Sequence, residues 1–136
     1  MKIVGLITEY NPFHNEHLHH INEARRVTGA DYVIVVMSGD YVQRGAPAVL
    51  PKRLRAEMAL KCGASAVFEL PVCYAAGSAE YFAMGAVSLL DSLGIVDAIC
   101  FGSECNDLES LSHVRDILNG EPDDYRSLLR TNLKKG

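Results

Sequence analysis

Tryptophan is absent from the 136-residue chain, and cysteine is scarce, at four. Cys62, Cys73, Cys100 and Cys105 form no C-x-x-C pair. A disulfide framework is thereby excluded, the five-residue step from Cys100 to Cys105 is slight ground for a metal site, and buried reduced thiols suit the pattern. No apolar run reaches the roughly 18 residues that a membrane-spanning helix needs. The opening Met1 to Ile7 is too short for a signal peptide and runs straight into polar residues, so a cytoplasmic protein with no membrane partner is expected. Basic excess is missing too: the net charge is −4, which is not the balance of a nucleic-acid binder. With 49% hydrophobic and 22% charged residues, the chain is neither disordered nor unusual for a globular protein. Its length, against roughly 150 residues per domain, predicts one domain over 1–136.

What is present is an alternation. Short apolar runs, Lys2 to Ile7, Asp31 to Met37, Ser65 to Leu70 and Val96 to Phe101, read as buried strands. Between them lie helical spacings. His17 to Val27 carries Leu18, Ile21 and Ala24 and stops at Gly29. Pro51 opens a second helix through Leu54, Met58 and Ala59 to Gly63. Ser78 caps a third through Phe82, Val87 and Leu90 to Gly94. Asp107 caps a fourth with Leu108, Leu111, Val114 and Leu118, and Asp123 to Leu133 forms a fifth. Near-continuous apolar strands alternating with helices predict an α/β fold: a three-layer parallel sheet with helices on both faces. Ligands of such sheets bind beyond the carboxyl ends of the strands, where the strand order switches. The loops to inspect are Thr8–Glu16, Ser38–Leu50, Pro71–Gly77 and Gly102–Asn106.

The first of these is the most informative. It follows a strand and opens a helix, and a helix N-terminus offers unpaired amides and about half a positive charge to an anion. His14 and His17, three apart, share a face there and can donate to phosphate oxygens. The loop is neither GxxxxGK[ST] nor GxGxxG. A metal site built from His14, His17, His19 and His20 is an alternative, since metal-binding helices space histidines at i, i+3 or i+4. A plain histidine-rich helix surface is another.

The segment ITEYNPFHNEH, Ile7 to His17, resembles the N-terminal motif of the tRNA(Met) cytidine acetate ligase family, usually TEYNPFHNGH, within the HxGH nucleotidyltransferase superfamily. Met37 to Ala48, MSGDYVQRGAPA, resembles the family's MSGNFVQRGEPA. FELPV at Phe68 to Val72 and FGSE at Phe101 to Glu104 resemble its IELPV and FGSE. The likeness runs in order from residue 1 to about residue 110. It implies a Rossmann-like nucleotidyltransferase fold, and ATP with Mg²⁺, the metal carried without identifiable protein ligands. It implies that acetate and ATP condense to acetyl-adenylate with release of pyrophosphate. The acetyl group then passes to N4 of the wobble cytidine of elongator tRNA(Met). Such a step needs no general base, because acetate is already an anion, and rests on positioning and charge stabilisation at the α-phosphate. By position, His14 and His17 would be the catalytic contacts to the phosphates. The nucleotide loop would comprise Ile7, Thr8, Glu9, Tyr10, Asn11, Pro12, Phe13, His14, Asn15, Glu16, His17, Leu18, His19 and His20. Gly102 would let the adenosine approach the backbone closely.

The chain departs from the family pattern in two respects. Glu16 stands where the HxGH motif has glycine, which brings a negative charge toward the phosphates. Two unit charges about 4 Å apart interact by about 4 kcal/mol at an effective dielectric near 20. Pointed outward, the same carboxylate suits a first helical turn. The sequence also stops at Gly136, before the family's later nucleotide contacts and most of its expected tRNA-binding surface. A non-catalytic or degenerate nucleotide-binding domain, and a small-molecule nucleotidyltransferase, therefore stand beside the ligase reading.

Other residues carry paired readings. Arg44, between Gln43 and Gly45, binds a substrate phosphate or carboxylate, or fixes its own loop. Lys52, Arg53, Arg55 and Lys61 read as a solvated helix face rather than a tRNA patch. Glu69 is buried against a loop amide or arginine, or meets substrate. Glu104 and Asp107 hold magnesium, or Asp107 simply caps its helix. His113 is predicted on the surface, and Arg126, Arg130, Lys134 and Lys135 in a fraying helix end.

Overall fold

The computed structural model describes residues 1–105 and 107–134. Asn106, which closes the fourth predicted loop, Lys135 of the charged tail, and Gly136 lie outside the described residues. The chain divides into two compact units, Met1–Phe101 and the residues from Gly102 onward.

The first unit runs β1 (Ile3–Thr8), α1 (Asn15–Thr28), β2 (Tyr32–Ser38), α2 (Lys52–Lys61), β3 (Ala66–Leu70), α3 (Val72–Ala75), α4 (Ala79–Ser92) and β4 (Ala98–Ile99). The four strands form one parallel sheet in the order β3-β2-β1-β4. Thr8 lies level with Met37, and Ser38 with Leu70, so the first three strands end together. After β3 the chain crosses over β1 to add β4 on its far side. The strand order thus switches at β1, whose carboxyl end is where such sheets open a crevice.

Both sheet faces are covered, which is why the strands lack a polar face. Val33, Val35 and Met37 pack with Val4, Leu6, Ile21, Ala24 and Ala59 on the side of α1 and α2. Ile34 and Val36 pack with Ile3, Leu70, Ala75, Phe82, Ala86 and Leu90 on the side of α3 and α4. Alternate residues of one strand serve opposite faces. Gly5 lets α4 sit close: a Cβ there would lie 2.8 Å from the Leu90 Cδ1. Gly29 ends α1 in the left-handed conformation at φ 65°, as its placement after the helical spacing predicts.

The α/β architecture and the strand positions agree with the sequence expectations; several details differ. β4 is two residues long rather than six, although the Asp97 and Cys100 amides still donate to Ile3 and Gly5 carbonyls. The Pro71–Gly77 loop contains the short helix α3. In α4, Val87 is 43% exposed, and Gly85 and Ala86 join Phe82 and Leu90 on the buried face. In α2, Leu54 is exposed and the buried face is Arg55 and Ala59. Helical spacing tells which residues share a face but not which face meets the sheet.

In the second unit, α5 (Leu108–Gly120) begins at Asp107, whose carboxylate accepts from the Glu109 amide at 3.0 Å. The capping reading of Asp107 is the one observed. α6 spans Asp123–Leu133, the predicted range.

Candidate functional site at the carboxyl end of β1

β1 ends at Thr8 and α1 begins at Asn15. The connection encloses a cleft of about 400 Å³ lined by Ile7, Thr8, Glu9, Tyr10, Asn11, Pro12, His14, His17 and His20. The Asn11–Pro12 peptide is cis. Tyr10 sits at φ 48° with its side chain fully buried. Its ring meets Phe13 and His17 edge-on, each at a centroid distance of 4.8 Å. The His14 and His17 rings lie 3.8 Å apart.

The His14 amide donates to His17 Nδ1 at 3.2 Å. With Nδ1 accepting, a neutral His17 carries its proton on Nε2, and that nitrogen is a donor. Burial, then the neighbouring His14 and His20, hold the His17 pKa below its ordinary 6.5. Burial likewise lowers that of His20. Burial pushes the Tyr10 phenol up to about 12, so it too keeps its proton. Thr8 Oγ1, Tyr10 Oη and His20 Nε2 are buried and make no well-formed hydrogen bond among the described residues, although Thr8 lies against the Tyr10 phenol and the Cys100 backbone against the His20 ring. Buried polar atoms without a well-formed hydrogen bond are rare, and three of them lie on residues that line this one cleft. The first amides of α1, at Asn15 and Glu16, have no helical carbonyl to bond and add anion affinity.

The outer wall of this loop is tied to the segment after β2. Glu9 Oε1 accepts from the Gln43 amide at 2.7 Å, and Asn11 Oδ1 from the Val49 amide at 2.7 Å. Gln43–Gly45 forms a 3₁₀ turn in which Arg44 stands at φ 65°. Arg55 of α2 reaches under both loops. Its Nη1 donates to the Glu9 carbonyl at 2.5 Å, its Nε to Leu50 at 2.9 Å, and its Nη2 to the Gly39 carbonyl. It is fully buried. The sequence reading placed Arg55 on a solvated face or in a basic patch, and both are overturned. The guanidinium faces the sheet because three loop carbonyls converge there and only its planar fork of donors serves them all. A hint existed in the spacing: Arg55 lies four residues before the buried Ala59.

A family model described as HIGH Nucleotidyl Transferase matches residues 1–136. The chain belongs to the HIGH nucleotidyl transferase family. It is 57% identical to a tRNA(Met) cytidine acetate ligase of Caldanaerobacter subterraneus and 53% identical to one of Acetivibrio thermocellus. Each alignment spans 100% of this chain, and 34% and 33% of the two relatives. The chain thus spans about a third of the length of the curated relatives it matches. A crystal structure of Thermotoga maritima TmcAL bound with alpha-thio ATP superimposes with a TM-score of 0.88 at 51% identity, over 100% of this chain and 33% of that one.

Within this HIGH nucleotidyl transferase fold, the predicted nucleotide loop divides. Nine of its fourteen residues line the cleft, and Phe13, Asn15, Glu16, Leu18 and His19 do not. Phe13 packs on the core beneath. The Glu16 side chain is 92% exposed, with Oε2 3.9 Å from His14 Nδ1. The carboxylate at the motif's glycine position therefore faces solvent, the outward alternative. Among the described residues no three His, Cys, Asp or Glu side chains converge as a metal ion would require. Arg44 is exposed and is not part of the cleft wall; its amide donates to the Gly77 carbonyl at 3.3 Å. Glu69 is exposed, and both its oxygens accept from Lys52 Nζ at 2.8 Å, so its partner is a lysine rather than an amide or arginine. Gly102 is the first residue of the second unit. No helix among the described residues is long and apolar enough to cross a membrane.

Proposed function

We propose that the chain is the nucleotide-binding part of an ATP-dependent acetate ligase of tRNA(Met), acting through acetyl-adenylate in the cytoplasm. The observation that carries this reading is the cleft at β1. Buried polar atoms of Thr8, Tyr10 and His20 and a neutral His17 gather there beside the open amides of α1. Its volume lies within the range of small-molecule sites, about 300–1,000 Å³. The names of the curated relatives and the alpha-thio ATP in the solved one support the same ligand.

The chemistry follows from the residue types. An acetate oxygen attacks the α-phosphorus, the bond to the bridging oxygen breaks, and pyrophosphate leaves. Charge grows on the α-phosphate oxygens and on the leaving group. In this reading His17 Nε2–H, His14 and the first-turn amides of α1 donate to those oxygens, and donors held in place in this way are the main route by which such sites lower a barrier. Mg²⁺ arrives with the triphosphate and needs no dedicated protein ligand. The cytidine N4 then attacks the acetyl carbonyl, AMP leaves, and the amine loses a proton. Gly102 in this reading borders the adenosine, and Arg44 meets a phosphate or carboxylate of substrate.

Calorimetric titration of Mg²⁺–ATP into the chain tests the proposal. Micromolar binding weakened at least about tenfold in His17→Ala is the expected result. Absence of binding to the parent chain overturns the nucleotide reading. Pyrophosphate exchange that proceeds equally without acetate overturns the choice of acid.

A further inference from the structure

Among the described residues Arg55 is the largest fully buried side chain and the only charged one that is buried. Asp40, Glu9 and Glu69 lie near enough to favour its charge, but among the described residues none is hydrogen-bonded to it. Its three hydrogen bonds all go to backbone carbonyls: Glu9 after β1, Gly39 after β2, and Leu50 before α2. Burying a guanidinium this way is costly unless its donors are met, and here they are met only while three separate segments hold one arrangement. The bond to the Glu9 carbonyl fixes the residue immediately before Tyr10. Tyr10 is held at φ 48°, and its buried ring supports the edge of His17. A path of direct contacts therefore runs from Arg55 through Glu9 and Tyr10 to the imidazole beside the cleft.

We propose that Arg55 is a positioning residue for His17, acting through the Glu9 carbonyl and the Tyr10 ring, so that nucleotide affinity depends on a guanidinium that never touches the nucleotide. The inference rests on the ATP reading for its functional consequence and on the loop geometry alone for its structural one. A lysine at position 55 keeps the charge and much of the length but is a point donor. It cannot span the Glu9, Gly39 and Leu50 carbonyls with the fixed geometry of the fork. The β1–α1 connection would then relax around Tyr10 while the sheet below it stays intact.

The test uses Arg55→Lys and Tyr10→Leu, the second cutting the same path without touching the guanidinium. Two readouts are taken on chains shown by cooperative unfolding to be folded: the ATP dissociation constant, and the titration of the His17 ring followed by NMR. The expected result is an ATP dissociation constant raised about tenfold in both variants. The His17 midpoint should also move from its depressed position toward 6.5. Variants that keep the parent's affinity and the parent's His17 midpoint overturn the proposal. If the parent binds no ATP, the nucleotide reading fails, and the His17 midpoint alone decides the positioning role. A Tyr10→Leu chain with an unmoved midpoint breaks the path even where Arg55→Lys fails to fold.

Discussion

Two regions meet at the carboxyl end of β1 and treat their polar groups in opposite ways. On the side facing the segment after β2, polar groups are closed on one another. Glu9 takes the Gln43 amide, Asn11 takes the Val49 amide, and Arg55 satisfies three carbonyls. On the side facing the cleft, Thr8, Tyr10 and His20 keep buried polar atoms that make no well-formed hydrogen bond among the described residues. The closed region satisfies its polar groups internally, whereas the other leaves polar atoms without well-formed bonds beside the cleft. Within the stretch from Thr8 to Asn11 the two kinds alternate, Glu9 and Asn11 serving the closed side and Thr8 and Tyr10 the cleft, so a firmly held wall backs the less satisfied one.

The largest effect should come from breaking the closed region. Arg55→Met leaves three carbonyls without donors, and hydrogen bonds to a charged group contribute about 1.5–3 kcal/mol each when lost. A loss of about 3 kcal/mol or more of folding stability is expected. It should appear as a lower urea midpoint with an unchanged slope.

A smaller effect separates the two regions by pH. The His17 and His20 pKa values are lowered in the fold, so their neutral forms are favoured there. Their contribution is fully present above the ordinary 6.5 and is lost as pH falls through the lowered folded values. The melting temperature should therefore hold steady above that pH and decline below it. The carboxylates of Glu23 and Asp107, also lowered, titrate only in more acid solution. His20→Phe should flatten the decline between pH 6.5 and the carboxylate range, and a decline of unchanged steepness would assign it elsewhere.

The smallest effect is assigned to Glu16→Gly, which restores the motif residue. Because the carboxylate is 92% exposed and outside the cleft wall, ATP affinity should change by less than about tenfold. A larger gain in calorimetry would mean that Glu16 turns inward when the nucleotide enters.

The strands were legible because both faces of the sheet are buried, which leaves runs such as Tyr32–Ser38 with no polar alternation to confuse them. The helix stops were legible where glycine is needed sterically, as at Gly29. The cleft was legible because its residues are contiguous: one strand end, one loop and one helix start carry His14, His17 and His20 together. The roles of Glu9 and Asn11 were not, since their partners at Gln43 and Val49 lie 34 and 38 residues away. Arg55 was misread for the same reason.

The alternation of apolar runs and helical spacings, a property of neighbouring residues, by itself determined a parallel α/β sheet with a histidine-bearing loop between its first strand and first helix. Only the tertiary structure decided which side of α2 turns inward and which loop carbonyls await a guanidinium. It alone decided where the Glu16 carboxylate points. Those outcomes depend on packing between segments far apart in the chain, and no local periodicity encodes the position of a distant carbonyl.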